Sequence, residues 1–337
     1  ASFDFFDPGA EPEAKELQEQ ALAAEAAALD VKGVEQVQAA SAGYGKSAMH
    51  MATSNGFSGG YAKTDHGVSC VAVAGQGTEM KRDYDGDVRV HRSDVRAAAD
   101  IGRHAGERVV ECLDARKPPT GQFPVLYDER VSASLVSHVL GASNGVSVAR
   151  GSTFLRDKLG QQILPSGLSI HEDPHRARIK ASRPFDGEGL PTQARMIVED
   201  GVLQSWTLDL RTAAQLGMDS TASARRGTSA PPSPGTSNIA LTQGDATRAD
   251  LMRDMGTGLL VTSMMGSSIN GNTGDYSRGA SGFWVENGEI QYPVHECTIA
   301  GNLLDMLMTL VPANDARTYI SSVVPSLLVE GMTIAGA

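Results

Sequence analysis

Along the first third of the chain, apolar and polar positions alternate in two distinct periods. Between Pro12 and Leu29 an Ala- and Glu-rich run places Leu17, Ala21, Leu22 and Ala28 near one face of a helix, led in by prolines and followed by Gly33. Ser47 to Thr53 then alternates as a strand does, Asn55-Gly56 supplies a turn, and Phe57 to Lys63 returns. Val68 to Ala74 and Thr78 to Tyr84 continue the meander after small polar turns. A second helix is predicted from Ser93 or Asp100 to Leu113, with either residue available as its N-cap. The segment from Arg116 to Gly121 contains Pro118-Pro119, which removes two donors and fixes φ twice, so a domain boundary is placed there.

Beyond it, Phe123 to Tyr127 reads as a short strand, and Asp128 as the cap of a helix running through Leu135 toward Leu140. Gln193–Glu199 and Val202–Leu208 flank Asp200-Gly201 as a hairpin, and Thr212 to Leu216 is a short helix. Ser220 to Ser237 is rich in Ser, Pro, Gly and Arg and too poor in apolar residues to pack, which predicts a mobile lid or a partner contact. A helix from Thr247 to Met255 follows, with Asp245 or Thr247 as cap. Leu259–Thr262 then leads into a glycine-rich stretch whose last hairpin turns at Asn287-Gly288. Asn302–Thr309 is an amphipathic helix, and Pro325–Ile334 supplies the last strands. The pattern predicts a two-domain α+β protein of antiparallel sheets flanked by helices, with residues 1–116 in one domain and a β-rich domain over residues 122–337.

Composition narrows the function classes. The 337 residues are 41% hydrophobic and 20% charged, with no apolar run of membrane-spanning length, so no membrane partner is expected. The 29 Lys and Arg against 40 Asp and Glu give a net charge of −11, which repels phosphate backbones and argues against nucleic acid. Cys70, Cys112 and Cys297 have no paired spacing, which argues for a reducing compartment over a disulfide framework.

Candidate chemistry is sparse. Asp275-Tyr276-Ser277-Arg278 places two opposite charges and two hydroxyls on what reads as a loop held between strands, suited to a bound peptide. His171-Glu172-Asp173-Pro174-His175 fits the zincin spacing, but Pro174 biases Asp173 away from the helix that spacing needs. In His295-Glu296-Cys297 the His and Cys would share one side of a strand, and burial of Cys297 is the simpler reading than a thiol nucleophile. His50, His66 and His91 are scattered. No nucleophile elbow, Walker loop or dinucleotide fingerprint is present.

One longer signal remains. Gly274-Asp275-Tyr276-Ser277-Arg278-Gly279-Ala280, the aromatic strand ending in Glu286-Asn287-Gly288, then Pro293-Val294 and Thr298-Ile299-Ala300-Gly301-Asn302-Leu303 together resemble the TldD/PmbA family, in particular its PmbA (TldE) branch, formerly called modulator of DNA gyrase. Pro184-Phe185-Asp186-Gly187-Glu188-Gly189 resembles a further turn of that family, and the likeness runs from Phe6 onward. It implies that the sequence begins inside the N-terminal domain. It also implies a cytoplasmic heterodimer with a TldD-type subunit, a homodimer being the form open to the chain alone. The partner would supply zinc and bond cleavage, and the pair would enclose unfolded peptide during peptide maturation, as of microcins, and antitoxin proteolysis. The zinc-bearing branch carries His-Glu-x-x-x-His where this chain reads His138-Val139-Leu140-Gly141-Ala142-Ser143, and Tyr319 to Pro325 lacks that branch's cysteine ligand. A lone imidazole cannot hold zinc, so the resemblance implies no catalytic residue and no metal here, with His138 structural or cavity-lining. The residues expected to hold peptide are Asp275, Tyr276, Ser277 and Arg278 with Arg225, Arg226, Asp186 and Glu188. Two rival readings are a metallopeptidase built from His138, His171, His175 or His295, and a regulatory protein acting on DNA gyrase.

Overall fold

The computed structural model describes residues 3–336, so the outermost positions of the two predicted domains, Ala1, Ser2 and Ala337, lie outside the described residues. The chain divides into two units, one running up to Ala115 and including Ala177–Lys180, the other comprising Arg116–Arg176 and the remainder from Ala181. The α+β reading holds: each unit combines helices with mainly antiparallel sheet. No helix among the described residues is long and apolar enough to cross a membrane.

In the first unit α1 (Ala14–Leu29), β1 (Val34–Ala52), β2 (Ser58–Ala74), β3 (Lys81–Arg89) and α2 (Ala98–Glu111) form a three-stranded antiparallel sheet with two helices on it. β1 and β2 are one long hairpin, paired from Val34 opposite Ala74 to Ala52 opposite Ser58. The polar turn expected before Val68 is therefore strand. Thr64 and His66 are buried there; Thr64 Oγ1 donates to the Val90 carbonyl at 2.9 Å, and His66 Nε2 lies 3.3 Å from the Asp7 carboxylate, so each polar side chain has a neighbour from beyond the strand. Val68, Cys70, Ala72 and Ala74, alternate residues of β2, pack on Ile101, Ala105 and Val109 of α2. Neither Ser93 nor Asp100 caps α2, whose N-cap is Ala97 without a side-chain bond. Gly102 and Gly106 face Ala24 and Ala28 of α1 so closely that a methyl group on Gly102 would sit 1.9 Å from the Ala24 carbonyl oxygen.

The second unit contains, in order, β4 (Gly121–Tyr127), α3 (Ala133–Ala142), α4 (Gly145–Ala149), β5 (Ile170–Glu172), β6 (Arg195–Glu199), β7 (Val202–Leu203) and α5 (Leu210–Leu216). There follow β8 (Ala224–Arg225), β9 (Ser233–Pro234), β10 (Ile239–Leu241), α6 (Arg248–Met255), β11 (Gly258–Ile269), β12 (Asp275–Glu286) and β13 (Glu289–Asn302). The last elements are α7 (Leu303–Met308), β14 (Val311–Pro312), β15 (Ser322–Val323) and β16 (Leu327–Ala335). The larger sheet runs β13-β12-β11-β4-β16-β14, and β13 pairs again with β16, Ile299 opposite Ile334, closing five strands into a ring. Only β4 and β11 are parallel in it.

Alternation along these strands splits two cores. Val125, Tyr127, Leu259, Val261, Trp284 and Val329 join the large one, while Leu126, Leu260, Val285 and Leu328 meet Leu251 and Met255 of α6. The second of these faces is covered by α6, and the first packs with α3 and α7.

Several local expectations change. Asp128 does not cap α3; its Oδ1 accepts the Arg130 amide at 3.1 Å in the turn before it. The hairpin at Asp200-Gly201 forms with φ of 48° and 80°, but its second strand stops at Leu203, because Thr207 instead pairs with the link between α3 and α4, donating to the Ser143 carbonyl at 3.0 Å. Ser220 to Ser237 is not structureless. β8 and β9 pair within it, and Asp186 and Arg183 supply the partners that apolar packing does not. Asp186 Oδ2 accepts the Ala224 amide at 3.0 Å, and Arg183 donates to the Ala224 and Gly235 carbonyls at 2.8 and 2.9 Å.

Candidate functional site

Asp275 to Arg278 opens strand β12; the loop read from the sequence is confined to the residues before Asp275. The glycines there shape turn and bulge, with Gly274 at φ 82° closing the loop and Gly266 at φ 57° lying where β11 bulges opposite Arg278. Asp275 is exposed and does not pair with Arg278: its carboxylate accepts from Thr273 Oγ1 at 2.6 Å and from Asn302 Nδ2 at 3.3 Å. Alternation then sends Tyr276 and Arg278 to one face and Ser277 to the other.

Tyr276 is 2% exposed and belongs to the core, so it is not the open peptide contact expected of it. Its hydroxyl lies 3.4 Å from that of Tyr127, and burial raises the pKa of both phenols, leaving them neutral.

Facing Tyr276 is His138 of α3, edge to face, with ring centroids 5.7 Å apart and planes at 79°. Where the zinc-bearing branch would carry its second and third motif residues, Val139 is fully buried in the core. Ser143 ends the helix and donates to the Leu140 carbonyl at 3.2 Å. The imidazole Nε2 of His138 is buried without a hydrogen-bond partner among the described residues, and so is the guanidinium Nε of Arg278. His138 is held below its ordinary pKa, first by burial and then by the positive charge of Arg278. One imidazole beside a fixed cation, with a core valine next to it and a serine ending the helix, is a donor set that does not fit zinc.

The other metal and nucleophile candidates do not converge. His171 and Glu172 lie on β5. Glu172 is bound by Arg195, Nε to Oε2 at 2.8 Å, and by Ser237, while His175 Nε2 meets Thr192 Oγ1 at 3.1 Å. His295 sits on β13 beside an irregularity at Glu296, whose φ is 50°. That extra residue breaks the expected alternation, so Val294 and Cys297 both turn inward. Cys297 donates to the Ala280 carbonyl at 3.2 Å, and burial pushes its thiol up to about 11. Among the described residues no three His, Cys, Asp or Glu side chains are grouped to hold a metal ion.

A second cluster holds the remaining peptide candidates. Asp186 is buried, and its carboxylate accepts the amides of Glu188 and Leu190, each at 2.9 Å, besides that of Ala224. It is a turn-former with its acceptors taken, which corrects its reading as a receiver of a peptide's basic group. Glu188 accepts the Leu210 amide at 2.8 Å, and burial, then the neighbouring Asp186 and Asp209, raise its pKa. Arg225 bonds the Thr236 carbonyl, and Arg226 is exposed beside Gly187. No hydrogen bond or ion pair among the described residues joins this cluster to Arg278.

Arg278 and His138 were each visible in the sequence, but their meeting was not, since it depends on how α3 lies over the ring. Tyr127 was missed because a tyrosine in a short apolar strand gives no signal of its own.

Comparison with known proteins bears on this site. Residues 7–113 match the PmbA/TldA metallopeptidase central domain, and residues 120–336 match the PmbA/TldA metallopeptidase C-terminal domain. The chain is similar to the metalloprotease PmbA of Escherichia coli O157:H7, 40% identical over 335 residues, covering 99% of this chain and 72% of that protein. It spans 61% and 60% of the length of two further bacterial relatives. A crystal structure described as a modulator of DNA gyrase from Bacteroides thetaiotaomicron superposes with a TM-score of 0.88 at 30% identity, over 100% of this chain and 78% of that one. TldE from Thermococcus kodakarensis shares the fold at a TM-score of 0.85 and 21% identity, over 97% of this chain and 75% of that one.

Proposed function

Since the chain belongs to the PmbA/TldD metallopeptidase family, we propose that it serves as the PmbA/TldE-type, non-catalytic subunit of a two-subunit peptidase. In this reading a TldD-type partner contributes zinc and cleaves the bond, while this chain walls a cavity for unfolded peptide in the cytoplasm, in peptide maturation or antitoxin proteolysis. Without that partner, a homodimer is the form open to the chain.

The observation that carries the reading is the setting of His138. Its imidazole feels the charge of Arg278, Val139 after it lies in the core and Ser143 ends the helix, a donor set that supports a role other than holding the metal that activates water. What the residues retain is binding chemistry: a half-buried guanidinium and the open turn that carries Asp275.

The name metalloprotease borne by the 40% identical relative favours a second reading, a peptidase acting alone. One experiment separates the two. The full-length chain is purified, its zinc measured by mass spectrometry, and cleavage of an unfolded peptide followed alone and with a TldD-type partner. No stoichiometric zinc and cleavage only with the partner support the proposal. Chelator-sensitive cleavage by the chain alone overturns it.

A further inference from the structure

We propose that Arg278 and His138 form a receptor for one carboxylate group of a peptide; this rests on the peptide-binding reading above and names the chemistry the chain recognises. Two buried polar atoms have no hydrogen-bond partner among the described residues, the Arg278 Nε–H and the His138 Nε2; His138 packs on Tyr276, two residues from Arg278 on the same strand, and feels the charge of Arg278. In the tautomer with its proton on Nε2 the imidazole is a donor, so both groups offer N–H bonds to one acceptor. Buried donors are almost always satisfied, and two left over around one tyrosine suit a shared acceptor that the described residues do not supply.

That acceptor is an anion. Arg278 has no carboxylate within ion-pair distance among the described residues, although Asp275 lies three residues away on the same strand and pairs elsewhere. A guanidinium on a β-strand beside a neutral donor matches the planar, two-oxygen geometry of a carboxylate. The surroundings hold both groups ready. The strand pairing of Arg278 with Ile299 fixes the backbone, the bulge of β11 at Gly266 relieves the ladder opposite, and the near-perpendicular contact with Tyr276 sets the plane of the His138 ring. Tyr127 and Tyr276 lie close enough to feel the charge of Arg278 and, being neutral, do not cancel it. Arg278 is half-buried overall and its Nε is shielded from solvent, so the inner end of the guanidinium is desolvated. A charge-assisted bond made in such a place is stronger than one in water.

Two sources of carboxylate share this chemistry, a peptide's C-terminus and an Asp or Glu side chain. The first arm of the test needs no variant. Acetate is titrated into the full-length chain while the nitrogen resonances of His138 and Arg278 are followed by NMR, with acetamide as the neutral control. Saturable shifts with acetate alone are expected; equal or absent shifts overturn the proposal. The second arm measures binding of an unfolded peptide by anisotropy, as free acid, as C-terminal amide, and with its acidic residues replaced by amides. Loss of the carboxylate that binds is expected to weaken binding roughly tenfold to a hundredfold in the native chain. Little further change is expected in Arg278→Gln. Which substitution weakens binding identifies the source. If all three peptides bind the native chain equally, the carboxylate receptor is wrong while peptide binding stands. If none binds with or without the partner, the functional reading itself fails and takes this inference with it.

Discussion

The positive charge of Arg278 adds to burial in holding the His138 imidazole neutral. His138 therefore has a folded pKa below its ordinary value of 6.5, so the folded state binds fewer protons than the unfolded one. Its contribution to stability is present above 6.5 and is lost as pH falls from there through the lower folded value. Arg278→Gln should raise the His138 pKa toward 6.5 without reaching it, since burial remains the larger cause. An NMR titration in which His138 behaves identically in both proteins would refute the pairing.

Glu172 and Arg195 are locked in the second unit. Glu172 accepts from Arg195 Nε at 2.8 Å and from the Ser237 amide at 2.6 Å, while Arg195 also bonds Ser205, the Trp206 carbonyl and Thr207. Glu172→Ala leaves the guanidinium buried and uncompensated, and should cost about 3–5 kcal/mol in chemical denaturation. Combining it with Arg195→Met should cost less than the two single changes added together.

Two glycines give opposite expectations. Gly102→Ala drives a methyl group into the α1 backbone and should destabilise by about 1–3 kcal/mol. At Gly141, within α3, nothing lies within 4 Å of an added methyl group, so Gly141→Ala should stabilise by up to about 1 kcal/mol. Thermal melts of the two variants shifting in the same direction would contradict the packing described.

Cys297 is 3% exposed with its thiol pushed up to about 11, so it should resist alkylation in the native state. Cys70, fully buried and raised by that burial, should resist likewise, leaving Cys112 to react first. Mass spectrometry after brief iodoacetamide treatment reads this directly. Rapid labelling of Cys297 would reopen its role as a nucleophile.

What could be read from the sequence followed local chemistry. The turns at Asp200-Gly201 and Asn287-Gly288 take positive φ at both central residues, and Thr247 caps α6 in a capping box with Asp250, because these features are written in adjacent residues. The unbroken β2 was not legible, since Thr64 and His66 look like turn residues until a partner for each is seen. Loop and strand were confused at Asp275–Arg278 because glycines that permit a turn equally permit a bulge. For the site, residue types pointed to Arg278 and to a lone His138. Their proximity is a product of long-range pairing that no local pattern encodes.

The five-stranded ring imposes an order on synthesis. Tyr127 of β4 meets Met332 of β16 across 205 residues, so the first strand must wait for the last while the ribosome works, roughly ten to forty seconds at ordinary elongation rates. Through that interval β4 exposes an apolar flank and unpaired amides, a period of vulnerability that chaperones are placed to cover.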